Sequence, residues 1–179
     1  MPKFPLLLLD ANVIIFAHEL SIWSQLTEKC TITITRTVVD DEAYYWRDKQ
    51  GIPHTIDLNR YIEEEKINCI DVPLAQVDSF RQKFGPTYLD RLDPGEADSL
   101  AFLYYSQEKW LICSADGIVF KALGCLRLGE QGISLEKILQ QIGLTRELDE
   151  QHKHYTEAYR LKLTKMGQQE GITGMAFQL

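Results

Sequence analysis

Several features that mark common protein classes are absent from this chain of 179 residues. No apolar run approaches the roughly 20 residues that span a bilayer, and only Lys3 carries a charge before the first leucines. We therefore expect neither a membrane helix nor a signal peptide. The sequence also lacks a P-loop, a G-x-G-x-x-G motif and a serine nucleophile elbow. These absences argue against a nucleotide cofactor and against hydrolysis by a serine triad.

Cysteine and basic residues are both scarce. Cys30, Cys69, Cys113 and Cys125 form no C-x-x-C pair, and three of them lie in apolar, strand-like segments. We expect reduced core cysteines in a cytoplasmic protein rather than a metal or disulfide site. Only 19 Lys and Arg stand against 26 Asp and Glu, and the net charge of −7 argues against binding nucleic acid through charge alone. A nucleic-acid substrate is still compatible with this net charge, because acids clustered around a cation site would by themselves make the net charge of the chain negative.

Apolar runs and helix-like segments alternate along the chain. The stretch 4–9 reads FPLLLL, which predicts a strand buried on both faces, and a helix is expected at 12–18. Further strands are predicted at 31–35, 67–72, 110–114 and 125–128. Helices are predicted at 21–29, 37–49, 56–65, 74–84, 93–107, 134–143 and 145–166, with a short helix after 117, a loop at 86–93 and a frayed end from 167. This alternation predicts an α/β fold with a mainly parallel central sheet of four to five strands.

Four acidic side chains from separate segments are expected at one edge of this sheet. Asp10 and Asp116 each follow a buried strand, and parallel strands end at the same edge, where α/β sheets bind ligands. Glu42 lies near the start of the helix after the second strand, and Asp98 lies early in the helix that begins at Pro94. Any one of these acids is also explained as a helix cap or as a partner of the helix dipole.

Two of the four positions have alternatives. Asp41 directly precedes Glu42, so the register of the second acid is open. On a helical wheel Asp98 falls inside an apolar arc, about 160° from Glu96. Glu96 has the capping-box spacing from Asp93 that already explains it. We favour Asp98 as the third acid and keep Glu96 as the alternative.

Four converging carboxylates restrict the chemistry of such a site. Two carboxylates about 5 Å apart repel each other by roughly 3 kcal/mol at an effective dielectric constant of about 20. The group would hold protons at neutral pH or need a cation. With oxygen ligands and no His or Cys placed nearby, Mg²⁺ or Mn²⁺ fits better than Zn²⁺.

Four motifs occur in order, each built around one of these acids. They are LLLLDANVIIFA with Asp10, TRTVVDDEAYYW with Glu42, LDPGEADSLAFL with the third acid, and LICSADGIVFKALG with Asp116. The ordered set resembles the PIN-domain family of metal-dependent nucleases. The resemblance implies a three-layer α/β/α sandwich over residues 1–143. Residues 144–179 match no motif and are expected to form a helical extension that packs on the domain or oligomerises.

The resemblance also implies an activity, which is hydrolysis of RNA by one or two Mg²⁺ or Mn²⁺ ions. The ions would activate a water for in-line attack and leave a 5′-phosphate and a 3′-hydroxyl. Asn12 and Ser114 would orient a ligand, a water or the phosphate, although Asn12 is equally explained as a helix N-cap. The implied metal ligands are Asp10, Glu42, Asp98 and Asp116, with Glu96 as the alternative third acid.

The sequence is also compatible with other functions. A toxin-type member of the family would bind an antitoxin protein over its site, and the extension would also suit a homodimer. A catalytically silent RNA-binding or scaffold module would keep the same fold. A haloacid-dehalogenase-like phosphatase also begins with an acid after its first strand, but it needs a second Asp where this chain has Asn12.

Two further groups of residues are given structural explanations. His152 and His154 are expected to be exposed on a charged helix, where a metal-binding role is the less favoured interpretation. Tyr44, Tyr45 and Trp46 are expected on a helix, where such aromatic residues usually belong to the core rather than to a surface that stacks bases.

Overall fold

The computed structural model describes residues 4–177 and shows an α/β fold built on a parallel sheet. The strands are β1 (Phe4–Leu9), β2 (Cys30–Thr35), β3 (Tyr45–Arg47), β4 (Pro53–Thr55), β5 (Asn68–Ile70) and β6 (Leu111–Cys113). Four of them form the parallel sheet in the order β5-β2-β1-β6, and β3 and β4 form a separate antiparallel hairpin. The α/β fold and the parallel sheet were therefore predicted correctly.

Helices connect the strands and extend the chain beyond the sheet. They are α1 (Ala11–Glu19), α2 (Trp23–Lys29), α3 (Leu58–Glu63), α4 (Leu74–Arg81), α5 (Pro86–Leu89), α6 (Pro94–Tyr105), α7 (Gly117–Cys125), α8 (Leu135–Gln141) and α9 (Glu157–Thr173). A π-helical turn spans Val38–Glu42, and 3₁₀ turns span Gly129–Gln131 and Glu150–Tyr155. Across the part of the chain that the structure describes, no helix has the length and apolar character needed to cross a membrane.

Both faces of the sheet are buried because neighbouring side chains of a strand point in opposite directions. Leu9 belongs to one buried cluster with Ile14 of α1 and Ile138 of α8. Leu8 belongs to a second cluster with Phe80 of α4 and Phe120 of α7. Helices thus pack on both faces, which is compatible with a three-layer sandwich.

The C-terminal segment packs against the rest of the molecule through close contacts between α7 and α9. A Cβ on Gly167 would overlap the backbone carbonyl of Lys121, and one on Gly124 would overlap that of Thr164. The predicted frayed end from residue 167 is therefore wrong as far as Thr173, and residues 178–179 lie outside the described residues. Segments rich in glycine and glutamine are usually flexible, but here the glycines permit close helix packing.

The predicted helix at 37–49 is present only as far as Glu42 and is wrong beyond it, because a hairpin follows the π-helical turn. The Thr37 hydroxyl donates to Asp98 and makes no capping bond. The Asp48 carboxylate accepts the N–H groups of Gln50 and Ile52 at 2.9 Å, which holds the chain in a turn. The YWR segment before that turn then pairs as a strand, as its aromatic residues favour.

Three other elements differ from the prediction. The expected strand at 125–128 is the end of α7 followed by a residue with positive φ, Arg127, because a short apolar run does not distinguish strand from helix. The expected loop at 86–93 contains α5, which begins at a proline suited to a first helical turn. The expected helix at 145–166 begins only at Glu157, where the Thr156 hydroxyl accepts the N–H of Tyr159 at 3.3 Å.

Candidate functional site

Asp10 is buried at the carboxyl end of β1, where it is the N-cap residue of α1. Leu9 is paired with Cys113 of β6, and the Asp10 N–H donates to the Cys113 carbonyl at 3.1 Å. This register places Asp10 beside Ser114, whose hydroxyl donates to Asp10 Oδ2 at 3.0 Å. Burial raises the pKa of the Asp10 carboxyl to about 6, and the bond from Ser114 opposes that rise.

Asp116 lies at the same edge and shares Ser114 with Asp10. The Ser114 Oγ accepts the N–H of Asp116 at 2.9 Å while its own proton is donated to Asp10. Asp116 Oδ1 accepts the N–H of Ile118 at 3.0 Å and so caps α7. The expected convergence of Asp10 and Asp116 is therefore present, and the negative charge of Asp116 contributes to the raised pKa of Asp10.

Glu42 reaches this edge from the end of the π-helical turn. Its Oε1 accepts the N–H of Gly95 at 2.9 Å, in the first turn of α6. A Cβ at Gly95 would overlap the Glu42 carboxylate, so the close approach requires glycine. Burial raises the pKa of Glu42, with further contributions from nearby acids. The charge of Glu42 also raises the pKa of Asp10, and the two residues line the same depression in the surface.

Glu96 is the acid of α6 that lies close to Asp10 and Asp116. Its side chain is 2% exposed, and its Oε2 accepts the N–H of Asp93 at 3.1 Å. Burial raises the pKa of Glu96 to about 9, and the charges of Asp10 and Asp116 add to that rise. Glu96 therefore takes part in the start of α6, as expected, and also lies beside the other acids.

Asp98, the favoured third acid, lies close enough to Glu42 for its charge to raise the pKa of Glu42, and it bonds to Thr37 at the cleft. Its half-buried carboxylate accepts the Thr37 hydroxyl at 2.5 Å. Burial raises its pKa, while the bond from Thr37 and the charge of Arg81 lower it. The helical wheel places Asp98 inside an apolar arc of α6, but Glu96 and Leu100 are buried whereas Asp98 is only half-buried.

A cleft of about 540 Å³ opens beside Asp10 and Glu42, whereas Glu96 and Asp116 lie outside its lining. The polar residues that line it are Asp10, Asn12, Thr37, Asp41, Glu42 and Asp93. Asn12 has an exposed side chain, and because Asp10 is the N-cap of α1, the N-cap interpretation of Asn12 is wrong. Thr37 in T-x-x-D and Asp93 in D-P-G-E have the spacing of helix starts, and nothing in that spacing indicates that they line a cleft.

The acidic group has the donor chemistry of a hard-cation site. Asp10, Glu42, Glu96 and Asp116 supply only carboxylate oxygens, which Mg²⁺ and Mn²⁺ prefer. Within residues 4–177 none of the four is in an ion pair with a basic side chain. As the side chains of this described part are placed, no three or more His, Cys, Asp or Glu residues form a ready-made metal cage. Holding an ion would thus require carboxylates to rotate toward the cleft and Glu96 to lose its proton.

The histidines of the H-K-H segment take part in packing. His152 lies in a 3₁₀ turn rather than on a helix, and its ring stacks on Phe16 with the centroids 4.6 Å apart. Its Nδ1 is 2.5 Å from the Asp149 carboxylate. The ring of His154 packs at a tilt against Tyr155. The expected absence of a metal role is not tested by these contacts, but the expected helix is wrong.

Comparison with known proteins found no matching family model, no similar curated protein and no similar solved structure.

Proposed function

We propose that this chain is a metal-dependent nuclease that hydrolyses RNA phosphodiester bonds, with the α/β/α architecture of the PIN-domain nucleases it resembles. One observation carries the proposal: four acids from different elements lie together at this edge of the sheet. Ser114 bonds to both Asp10 and Asp116, and Glu42 bonds to Gly95 of α6, the helix that carries Glu96. The charges of Glu42 and Asp116 raise the pKa of Asp10, and those of Asp10 and Asp116 raise the pKa of Glu96. Like charges held together in a buried place are unfavourable unless a cation or a proton compensates them. A protein that used these acids only as helix caps would not need them together.

The residues have separable roles in this proposal. Asp10, Glu42, Glu96 and Asp116 hold the ion, and Glu96 replaces Asp98 in the set that the sequence favoured. A bound Mg²⁺ or Mn²⁺ would supply Lewis-acid activation of water and neutralise charge on the reacting phosphate. Ser114 is a positioning residue, because it bonds both to the Asp10 carboxylate and to the backbone of Asp116.

The substrate would enter through the cleft. Asn12 projects an exposed amide beside Asp10, where it can donate a hydrogen bond to a phosphate oxygen. Hydrolysis by in-line attack would leave a 5′-phosphate and a 3′-hydroxyl, as the resemblance implies. An antitoxin or a second copy of the chain as a partner stays a proposal with no contact in this structure to support it.

The test is cleavage of a mixed RNA pool by the pure chain with Mg²⁺ or Mn²⁺. Wild type should cleave, and Asp10→Asn and Asp116→Asn should lose cleavage while their thermal unfolding stays close to that of wild type. Asp78→Asn, an exposed acid on α4, is the matched control and should cleave normally. Glu96→Gln should lose far more activity than Asp98→Asn.

Three results would count against the proposal. Cleavage that survives Asp10→Asn would place the chemistry elsewhere. RNA binding by wild type without cleavage in either metal would favour the silent module. Release of phosphate from small phosphomonoesters without nuclease activity would favour the phosphatase.

A further inference from the structure

The hairpin of β3 and β4 forms a second groove that adjoins the acidic cleft. The groove has a volume of about 320 Å³ and is lined by Ile15, Glu19, Glu42, Tyr44, Tyr45 and Arg47, together with Trp46. Ile15 and Glu42 also line the cleft, so the two depressions meet at the proposed metal ligand. A ligand in the groove would therefore lie next to the acids.

Two tyrosine rings are exposed on this hairpin, contrary to the expectation that they belong to the core. Tyr44 is 52% exposed and Tyr45 is 49% exposed. Strand alternation directs Trp46 to the face opposite Tyr45, where Trp46 is half-buried and its ring stacks on His54 with the centroids 4.6 Å apart. The hairpin thus keeps one aromatic ring for its own packing and presents two to solvent.

The exposed rings are held in place before any ligand binds. The Tyr44 hydroxyl donates to the backbone carbonyl of Asp40. The Arg47 guanidinium lies 5.2 Å from the centre of the Tyr45 ring, and its Nη1 donates to the Gly51 carbonyl at 2.9 Å. Rings fixed in this way lose little freedom when a flat partner stacks on them.

We propose that Tyr44, Tyr45 and Arg47 form a stacking site for unpaired bases, through which a single strand of RNA reaches the acidic cleft. The identity of the strand as RNA rests on the proposed nuclease function, whereas the stacking rests on the hairpin alone. Aromatic side chains accept bases of any sequence, because every base has a π-face. A duplex does not fit, since its bases are already stacked on each other.

The charges of the groove set the orientation of the strand. Glu19 and Glu42 line the groove and would repel phosphates, so the bases lie inside it. Arg47 also lines the groove and has an exposed side chain, so its remaining N–H donors can bind the backbone phosphates. A carboxylate in the groove can also accept a hydrogen bond from the amino group of a base.

The test is equilibrium binding of a short fluorescein-labelled single-stranded RNA to the full chain in EDTA, followed by anisotropy. Wild type should bind the single strand more tightly than the duplex of the same sequence. Tyr45→Ala and Tyr44→Ala should each weaken binding by about 5- to 100-fold. Tyr45→Phe should bind like wild type, and Tyr45→Leu should bind as weakly as Tyr45→Ala, because an apolar side chain without a ring cannot stack.

Tyr105→Ala is the matched control, because Tyr105 is 36% exposed on α6 and lies outside the groove. It should bind like wild type. The stacking site is overturned if wild type does not bind the single strand, or if both Tyr→Ala variants bind normally. Equal binding by Tyr45→Leu and Tyr45→Phe would also overturn it and would point to an apolar surface for a protein partner.

Failure of the stacking site and failure of the nuclease proposal give different results. Cleavage by wild type in Mg²⁺ or Mn²⁺, with binding that is indifferent to Tyr44 and Tyr45, removes the stacking site and leaves the nuclease. Binding that depends on the two rings, with no cleavage in either metal, removes the nuclease and supports the stacking site.

Discussion

At the scale of single residues, Glu96 departs far from its ordinary chemistry. Its pKa is raised from 4.5 to about 9 by burial and by the charges of Asp10 and Asp116. The folded protein therefore binds a proton at Glu96 that the unfolded chain releases above pH 4.5. The stability that this proton contributes is complete below pH 4.5 and is lost as the pH rises toward 9. Asp10 adds an effect of the same sign between 3.8 and about 6.

Replacing Glu96 by Gln should remove this loss of folding stability at high pH. In EDTA at about pH 8, Glu96→Gln should be more stable than wild type by on the order of 2–5 kcal/mol, because the amide carries no charge. At about pH 5 the difference should be much smaller. Urea unfolding at both pH values measures it, with the exposed Glu147→Gln as control. Equal stability of Glu96→Gln and wild type at pH 8 would contradict the raised pKa.

Ser114 is the residue that ties Asp10 to Asp116, so Ser114→Ala tests positioning. The variant removes the hydrogen bond that lowers the pKa of Asp10, so that pKa should rise above about 6. Affinity for Mn²⁺ at neutral pH should fall by about 10- to 100-fold, as when a group that orients a ligand is removed. Carboxyl NMR titration and calorimetry measure the two effects. Exposed Ser24→Ala should change neither, and an unchanged Asp10 pKa in Ser114→Ala would refute the role.

The positions of Asp10 and Asp116 could be predicted, because each closely follows an apolar run that forms a strand. The choice between Glu96 and Asp98 could not be made reliably. A helical wheel gives the angle between two residues, but it does not say which side of the helix faces the sheet. Phe102 and Tyr105 gave Asp98 an apolar setting on the wheel, but both side chains are partly exposed in the structure and Asp98 is only half-buried.

At the scale of elements, the contact between the π-helical turn and α6 controls where Glu42 lies. Gly95→Ala would normally favour a helix, by up to about 1 kcal/mol. Here the new Cβ would overlap the Glu42 carboxylate and approach Val38 Cγ2 to 2.6 Å. We expect a loss of about 1–3 kcal/mol in the free energy of unfolding, together with weaker Mn²⁺ binding.

The control for Gly95→Ala is a double-mutant cycle with Glu42→Ala. If the clash with Glu42 causes part of the loss, the effect of Gly95→Ala should be smaller in the Glu42→Ala background. Thermal or urea unfolding of the four proteins gives the coupling. A Gly95→Ala variant that is as stable as wild type would show that the turn and α6 can separate freely.

Strands with a continuous apolar run, such as β1 and β6, were predictable, and β2 was predictable from its alternating β-branched residues. The hairpin of β3 and β4 was missed because the preceding T-x-x-D spacing favours a helix start. Tertiary and turn contacts override that preference. The Thr37 hydroxyl bonds to the Asp98 carboxylate of α6, and the Asp48 carboxylate organises a turn. These interactions depend on residues far apart in the chain or on side chains whose bonds cannot be read from periodicity.

At the scale of the whole molecule, the segment after Gly143 is integrated through α9. The Lys121 ammonium lies 2.5 Å from the Glu170 carboxylate, which also accepts the hydroxyl of Tyr88 at 2.6 Å. Gly167→Ala would place a methyl against the Lys121 carbonyl, a backbone group that cannot turn aside. We expect a loss of about 1–3 kcal/mol in stability.

Thermal unfolding measures that loss, with Gln169→Ala on the exposed side of α9 as the control. Alanine at this exposed helical position should leave the melting temperature nearly unchanged. A Gly167→Ala variant that melts with wild type would mean that α9 does not pack on α7 as described. The sequence could not foresee this contact, because glycines in a polar segment resemble a flexible tail.

The central claim is that acids from four elements form one cation site, and calorimetric titration with Mn²⁺ tests it most directly. Wild type should bind Mn²⁺ at neutral pH with a heat that depends on the buffer, because Glu96 releases its proton when the ion binds. Asp10→Asn should bind far more weakly, and Asp78→Asn should bind like wild type. Equal Mn²⁺ binding by wild type and Asp10→Asn, or no binding by either at millimolar concentrations, would contradict the account.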